Sequence, residues 1–312
     1  MPIDSLRLER IEAASRVIDP VFRDTPQIFD DSLSRALGRQ TLVKIETLNP
    51  VRSFKGRGSD FLLHDTAERR AVVCASAGNF GQGIAYAARG RGLPVHVFAA
   101  ETANPLKIAR MREMGARVEV GGADFDTAKQ AAADYAHGRG DCVYVEDGRQ
   151  PQIAEGAGTI GVEMAPMELD AVVLPVGNGA LISGVGRWLK ERSPHTKVIG
   201  VCAAGAPAMA HSWRSGMAVS TEHVETAADG LAVRVPVPEA VEWMGAVVDD
   251  VVLVDEGDLY VALRLLRDTL GLVVEPSAAA GIAAIASLDL AAARVGTVLT
   301  GSNFPPEFAK SL

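Results

Sequence analysis

Short apolar runs alternate with longer stretches whose apolar residues recur at helical spacing, and this rhythm fills most of the chain. Ala71-Val-Val-Cys-Ala75 is too short for a helix and is followed by a glycine-bearing loop, which predicts a buried parallel strand. A helical stretch over 84–89 comes next, with Gly90 as its stop. Strands at 94–98, 117–120 and 143–145, with helices around 107–114 (ending at Gly115) and 124–136, complete one α/β unit. A second unit starts after Pro151. It comprises a helix over 153–164, a strand at 171–174, a helix over 181–192 and a strand at 198–202. An irregular region with helical pieces follows over 203–249. A strand at 251–254, helices over 256–270 and 277–287, and a strand at 297–300 close it. Ahead of both units, Ile3-Asp4-Ser5 opens a helix reaching Ile18, and Asp31 or Ser32 caps a second helix ending at Gly38. A β-like segment over 40–46 then delivers the chain to a polar turn. No repeat of fixed period is present.

That turn, Ser53-Phe54-Lys55-Gly56-Arg57-Gly58, is followed by the apolar Phe61-Leu62-Leu63, the buried face of a predicted helix. Lys55 falls at the start of that helix, where the positive dipole end disfavours an ammonium and so favours a nucleophilic amine. Gly56 and Gly58 are poor helix formers and signal a ligand or another backbone close by. Taken alone, Lys55 also reads as an ordinary lysine in an exposed loop.

Composition narrows the class. Of 312 residues, 48% are hydrophobic but only 5% aromatic, so the apolar mass is Ala, Val and Leu, which suits parallel strands buried under helices. The net charge of −8 and the scattered basic residues argue against nucleic acid and anionic membranes as partners. Cys74, Cys142 and Cys202 each sit in an apolar run and read as reduced core residues. No signal core or membrane-length stretch occurs, so the expectation is a soluble, cytoplasmic protein.

Three loops fall where a strand's C-terminal end meets a helix, the usual place for ligands in open α/β sheets. Ser76-Ala77-Gly78-Asn79-Phe80-Gly81-Gln82-Gly83 suits an anion such as a carboxylate or a phosphate, and Gly177-Asn178-Gly179-Ala180 suits a phosphate. Each is also what a tight strand-to-helix turn requires. Thr300-Gly301-Ser302-Asn303 ends the last strand with hydroxyls that either donate to a ring nitrogen or line a pocket. Glu275 either pairs with a cofactor site or caps the helix after it. A P-loop, a Gly-x-Ser-x-Gly elbow and a dinucleotide fingerprint in register are all missing. The six histidines lack metal-ligand spacing.

Together, Ser53-Phe54-Lys55-x-Arg57-Gly58, Ser76-Ala77-Gly78-Asn79-x-Gly81-Gln82-Gly83, Pro175-Val176-Gly177-x-Gly179, Ala228-Asp229-Gly230, Glu275-Pro276 and Thr300-Gly301-Ser302-Asn303 resemble the fold-type II pyridoxal-phosphate enzymes. The likeness is to their threonine/serine dehydratase and serine racemase branch, in the family's order, from about residue 20 to the end. The resemblance implies an α/β fold of tryptophan synthase β-subunit type, with two three-layer domains. The large domain would be 1–47 and 146–312, with 48–70 carrying the lysine at the junction, and the inserted small, substrate-binding domain 71–145. It implies that Lys55 carries pyridoxal 5'-phosphate as a Schiff base and takes the substrate Cα proton. Phe54, Asn79, Glu275 and Thr300 would contact the cofactor, and Gly177, Asn178, Gly179, Ala180 and Leu181 its phosphate. Ser76, Ala77, Gly78 and Asn79 would hold the substrate carboxylate, with Ser76 counted as catalytic, in a homodimer.

Departures from the family pattern refine the expectation. Phe80 stands where many relatives carry histidine, and Asn178 and Ala180 replace glycines. Ala77 lacks the hydroxyl that serves racemases as a second base, so β-elimination from threonine or serine is expected over racemisation. Ala203, Pro207 and Met209 replace the carboxylates of metal-activated relatives, so no metal is expected. The chain ends within about a dozen residues of its last strand, so feedback control through an allosteric regulatory domain is not expected. The alternatives are a racemase, a lyase for another β-substituted amino acid such as 3-hydroxyaspartate, or a non-catalytic α/β binding protein.

Overall fold

The computed structural model describes residues 5–65, 70–287 and 292–312. The predicted helix opening at Ile3-Asp4 lies outside them; helix α1 runs Leu8–Val17 behind Arg7. A short strand absent from the predicted pattern, β1 (Gln27–Phe29), precedes α2 (Asp31–Leu37) and β2 (Gln40–Ile45). The cap of α2 is Asp30, one residue before the expected pair, because its carboxylate is the one that reaches Leu33 N, at 2.7 Å. Helix α3 (Lys55–Asp65) begins at the lysine itself.

The next segment supplies β3 (Ala71–Ala75), α4 (Asn79–Arg91), β4 (Val95–Ala99), α5 (Pro105–Glu113), β5 (Arg117–Val120), α6 (Phe125–Ala136) and β6 (Cys142–Val145). Helix α4 passes through Gly90 and stops at Gly92, whose φ of 65° makes the left-handed C-cap. A glycine within a helix weakens it without ending it. The four strands form a wholly parallel sheet in the order β5-β4-β3-β6.

Beyond it come α7 (Pro151–Met164), β7 (Ala171–Pro175), α8 (Ala180–Arg192), β8 (Lys197–Ala203), α9 (Ala208–Ser215), α10 (Pro238–Val247), β9 (Asp250–Val254), α11 (Glu256–Leu270), α12 (Pro276–Ser287) and β10 (Arg294–Leu299). A last helix that the pattern did not predict, α13 (Pro306–Ser311), follows. Strand β10 inserts between β2 and β7, giving a second sheet ordered β1-β2-β10-β7-β8-β9, antiparallel only at its β1 edge. One α/β unit is thus inserted in the chain of another, as expected.

Alternation along the strands explains the layering. On β7, Val172 and Leu174 join one apolar cluster while Ala171 and Val173 join the other, so helices must cover both faces of the sheet. Fully burying each Val or Leu side chain contributes about 1.5–3 kcal/mol. The first cluster also takes in Val72, Cys74, Val95 and Val97 of the smaller sheet, so a continuous core joins the two units. Cys74, Cys142 and Cys202 are buried and unbridged, as expected. The parallel arrangement carries the chain from the C-terminal ends of β2, β3, β6, β7 and β10 towards a single cleft between the sheets.

Candidate active site

That cleft encloses ≈ 940 Å³ and is lined by Phe54, Lys55, residues 75–80, Asp147, residues 177–181, Glu275 and Thr300. Every site residue inferred from the sequence therefore borders one cavity.

Lys55 is held there by the turn before it. Phe54 N donates to Thr300 O at 3.1 Å, Ser53 bridges to Gly301, and Ser302 N donates to Arg52 O at 3.0 Å, which joins the turn to the end of β10. Below, the fully buried Arg57 donates to both oxygens of Glu46 (2.9 and 2.8 Å) and both of Glu163 (2.6 and 2.9 Å). Burial works against that guanidinium's charge, but the two carboxylates outweigh it and raise its pKa. Both glycines of the turn pack closely against protein, Gly58 against another backbone. A side chain at Gly58 would strike Ile153 O, 2.4 Å from its Cβ position, and one at Gly56 the Phe22 ring at 2.2 Å.

In the loop after β3, Ser76 Oγ accepts from Gly78 N at 3.1 Å and Gly81 N at 2.8 Å, curling the backbone into the start of α4. Asn79 donates through Nδ2 to Glu275 Oε1 at 2.6 Å and accepts at Oδ1 from Asn303 Nδ2 at 2.8 Å. The Glu275 carboxylate thus faces the site rather than capping α12, whose first turn instead donates from Ala278 N to the Glu275 main-chain carbonyl at 2.9 Å. Burial pushes the Glu275 carboxyl up to about 7; Lys107 opposes the shift and Asp229 adds to it. Lys107 is itself buried and donates to Asp229 Oδ2 at 2.5 Å.

The loop after β7 ends in Gly179 with φ 81°, a conformation that disfavours any side chain, as the N-cap of the 13-residue α8. The first N–H groups of a helix have no partner within it, and the dipole adds positive potential, so Gly177–Leu181 suits a phosphate. Asp147, at the end of β6, completes the wall. Its Oδ2 accepts from Lys55 Nζ at 2.6 Å and Asn178 Nδ2 at 3.2 Å, while Oδ1 is buried with no protein partner among the described residues. A lysine amine in the cleft, an anion-binding helix start, an aromatic face and a buried polar atom lacking a partner fit a phosphorylated aromatic aldehyde. Cys74 is no rival nucleophile: burial, with the Asp147 charge, pushes its thiol up to about 12.

Sequence reasoning missed Asp147 and Lys107. The rule that selected the other loops, a turn at the C-terminal end of a parallel strand, also fits Asp147, but without a dense glycine run around it. Lys107 lies inside α5, where a lysine gives no sign of being buried. Ala203 and Met209 are buried apolar side chains. Among the described residues no group of His, Cys, Asp and Glu is placed to hold a metal ion.

Known proteins resemble this chain in sequence and in fold. The family model described as pyridoxal-phosphate dependent enzyme matches residues 18–301. An L-threonine ammonia-lyase of Thermotoga maritima is 36% identical over 304 residues, 96% of this chain and 76% of that protein. Among solved structures, a threonine deaminase from T.th. superposes with a TM-score of 0.89 at 30% identity, covering 96% of this chain and 99% of its own. Maize serine racemase reaches 0.91 at 24% identity, covering 98% and 96%, a likeness of fold.

Proposed function

The chain belongs to the pyridoxal-phosphate dependent enzymes, and from that premise we propose that its chemistry is β-elimination centred on Lys55. The protein is a pyridoxal 5'-phosphate-dependent ammonia-lyase that dehydrates threonine or serine to a 2-keto acid and ammonia. The observation that carries the assignment of residues is the position of Lys55 Nζ. It lies in the cleft against the Phe54 ring, 4.8 Å from its centre, between the Ser76 loop and the start of α8.

In this reading Lys55 carries the cofactor, Gly177, Asn178, Gly179, Ala180 and Leu181 hold its phosphate, Phe54 packs against it, and Asn79, Glu275 and Thr300 supply further polar contacts. When bound, pyridoxal phosphate supplies the electron sink that lets the substrate Cα lose its proton. Ser76, Ala77, Gly78 and Asn79 bind the substrate carboxylate through the loop that the Ser76 hydroxyl shapes. Lys55 Nζ would serve as the base that receives the Cα proton. Ala77 lines the cleft with a methyl group, which supports elimination over a two-base racemisation.

Residues 71–145 form the small, substrate-binding domain in this proposal, 1–47 and 146–312 the large one, with 48–70 at their junction; the separate four- and six-stranded sheets support that division. A homodimer is proposed, supported by the partly exposed Ile28 and Phe29 on edge strand β1, and sedimentation tests it. Among the described residues no helix is long and apolar enough to cross a membrane; a cytoplasmic location is proposed, and cell fractionation tests it.

Purified protein supplied with pyridoxal phosphate is expected to show a visible absorption band that borohydride bleaches and Lys55→Ala abolishes. A keto-acid release screen over hydroxy amino acids identifies the preferred substrate. A wild type that stays colourless and releases no keto acid overturns the proposal.

A further inference from the structure

The Lys55 amine sits in an environment built for a cation. Besides Asp147 Oδ2 at 2.6 Å and the Phe54 ring, the Phe80 ring centre lies 6.0 Å from Nζ. Carboxylates and aromatic faces both stabilise an ammonium, more so where solvent is scarce. Solvent is scarce here, the Lys55 and Asp147 side chains being 14% and 12% exposed. The Asn178 amide fixes the carboxylate against the loop before α8. Two of the departures noted in the sequence, Phe80 and Asn178, thus both border the Lys55–Asp147 pair.

We propose that Asp147 is a positioning residue for Lys55, stabilising the ammonium that Lys55 becomes when it takes the substrate's Cα proton. The inference rests on the reading of Lys55 as the base. In that step the Cα–H bond breaks, an N–H bond forms on Nζ, and the electron pair of the broken bond passes to the sink named above. Nζ changes from neutral amine to cation within hydrogen-bond reach of a fixed carboxylate. An attraction that grows as the proton moves favours the transition state over bound substrate, so it acts on kcat and leaves KM nearly alone. The same contact holds the end of a flexible four-carbon side chain in one place. A carboxylate behind a catalytic base orients it and stabilises its protonated form, the logic of the aspartate in serine-protease triads.

Asp147→Asn keeps the size of the side chain and removes the charge. The holoenzyme variant is expected to gain the visible band, keep KM within about threefold and lose kcat by about tenfold or more, with a larger isotope effect on α-deuterated substrate. Asp147→Glu is expected between the variant and the wild type. A second readout needs no turnover: in cofactor-free protein, acetic anhydride labels lysine amines that no partner holds, and mass spectrometry is expected to find Lys55 labelled faster in Asp147→Asn, which loses the 2.6 Å ion pair, than in wild type. Unchanged kcat, a rise in KM alone, or equal labelling overturns the inference. Should Asp147→Asn not fold, Asp147→Glu decides: moving the carboxylate by one methylene must lower kcat severalfold, and wild-type kcat overturns the role. A wild type without the visible band would sink the lyase reading itself, whereas a coloured wild type with an equally active Asn variant sinks only this inference.

Discussion

Glu275 is a carboxylate surrounded by protein, hydrogen-bonded to Asn79 and Asn303 N and 3.9 Å from Lys107 Nζ. Burial pushes its carboxyl up to about 7 from the ordinary 4.5, Lys107 and the two donors holding back part of the rise. The folded state therefore holds this proton more tightly than the unfolded chain does. The stability it contributes is complete below an unfolded pKa of 4.5 and is lost as pH rises through about 7. Thermal unfolding of cofactor-free enzyme between pH ~5 and ~8 is expected to show wild-type Tm falling relative to Glu275→Gln, which has no proton to lose there. A Tm difference between the two that stays constant across that range contradicts the assignment.

At the scale of elements, α3 holds its place through Arg57. The guanidinium ties α3 to β2 through Glu46 and to α7 through Glu163 and Thr159, with Lys44 also paired to Glu163. Arg57→Met strips the buried Glu46 of its cation and the partly buried Glu163 of one of two, so urea unfolding is expected to show a loss of about 3–5 kcal/mol. Because α3 starts at Lys55, cofactor affinity is expected to weaken as well; a variant of wild-type stability would show that the network is dispensable. The cap of α2 is a smaller matter: Asp30→Ala is expected to cost about 1 kcal/mol with no change in kcat. Both Asp30 and Gly92 show how element ends escape a reading by residue type. Several residues near each end were chemically able to cap, and only the local backbone path decided which one did.

At the scale of the molecule, the two sheets face each other across the cleft and are laced together by polar contacts. Lys107 meets Asp229, Arg110 donates to Asn303 Oδ1 at 2.7 Å, and Arg234 pairs with Asp126 and Asp124 at the start of α6. The Arg234 pairs are exposed to solvent, which screens them, so Arg234→Ala is expected to shift Tm little. Arg234, Asp124 and Asp126 all line the cleft, so the same variant is expected to raise KM severalfold and to speed hydrogen exchange in the first turn of α6. Exchange at the wild-type rate would remove Arg234 from any such role.

The α/β class, most strand and helix positions and the glycine-bearing loops were readable because each depends on a local rule: run length, period, or a turn at a strand end. The motif set around Lys55 was readable too, since close backbone approaches and helix starts leave glycines and caps in fixed order. Strand β1 was not, because three residues with one edge partner leave too short a signal. Lys107, Glu275 and Asp147 owe their behaviour to residues distant in sequence. Lys107 is paired with Asp229, Glu275 with Asn79, and Asp147 with Lys55, 92 positions away. By itself the sequence determined that this chain builds parallel sheets around a lysine at a helix start. Only the tertiary structure decided which charge stands behind that lysine, because desolvation and Coulomb attraction depend on distance in space, and separation along the chain does not set it.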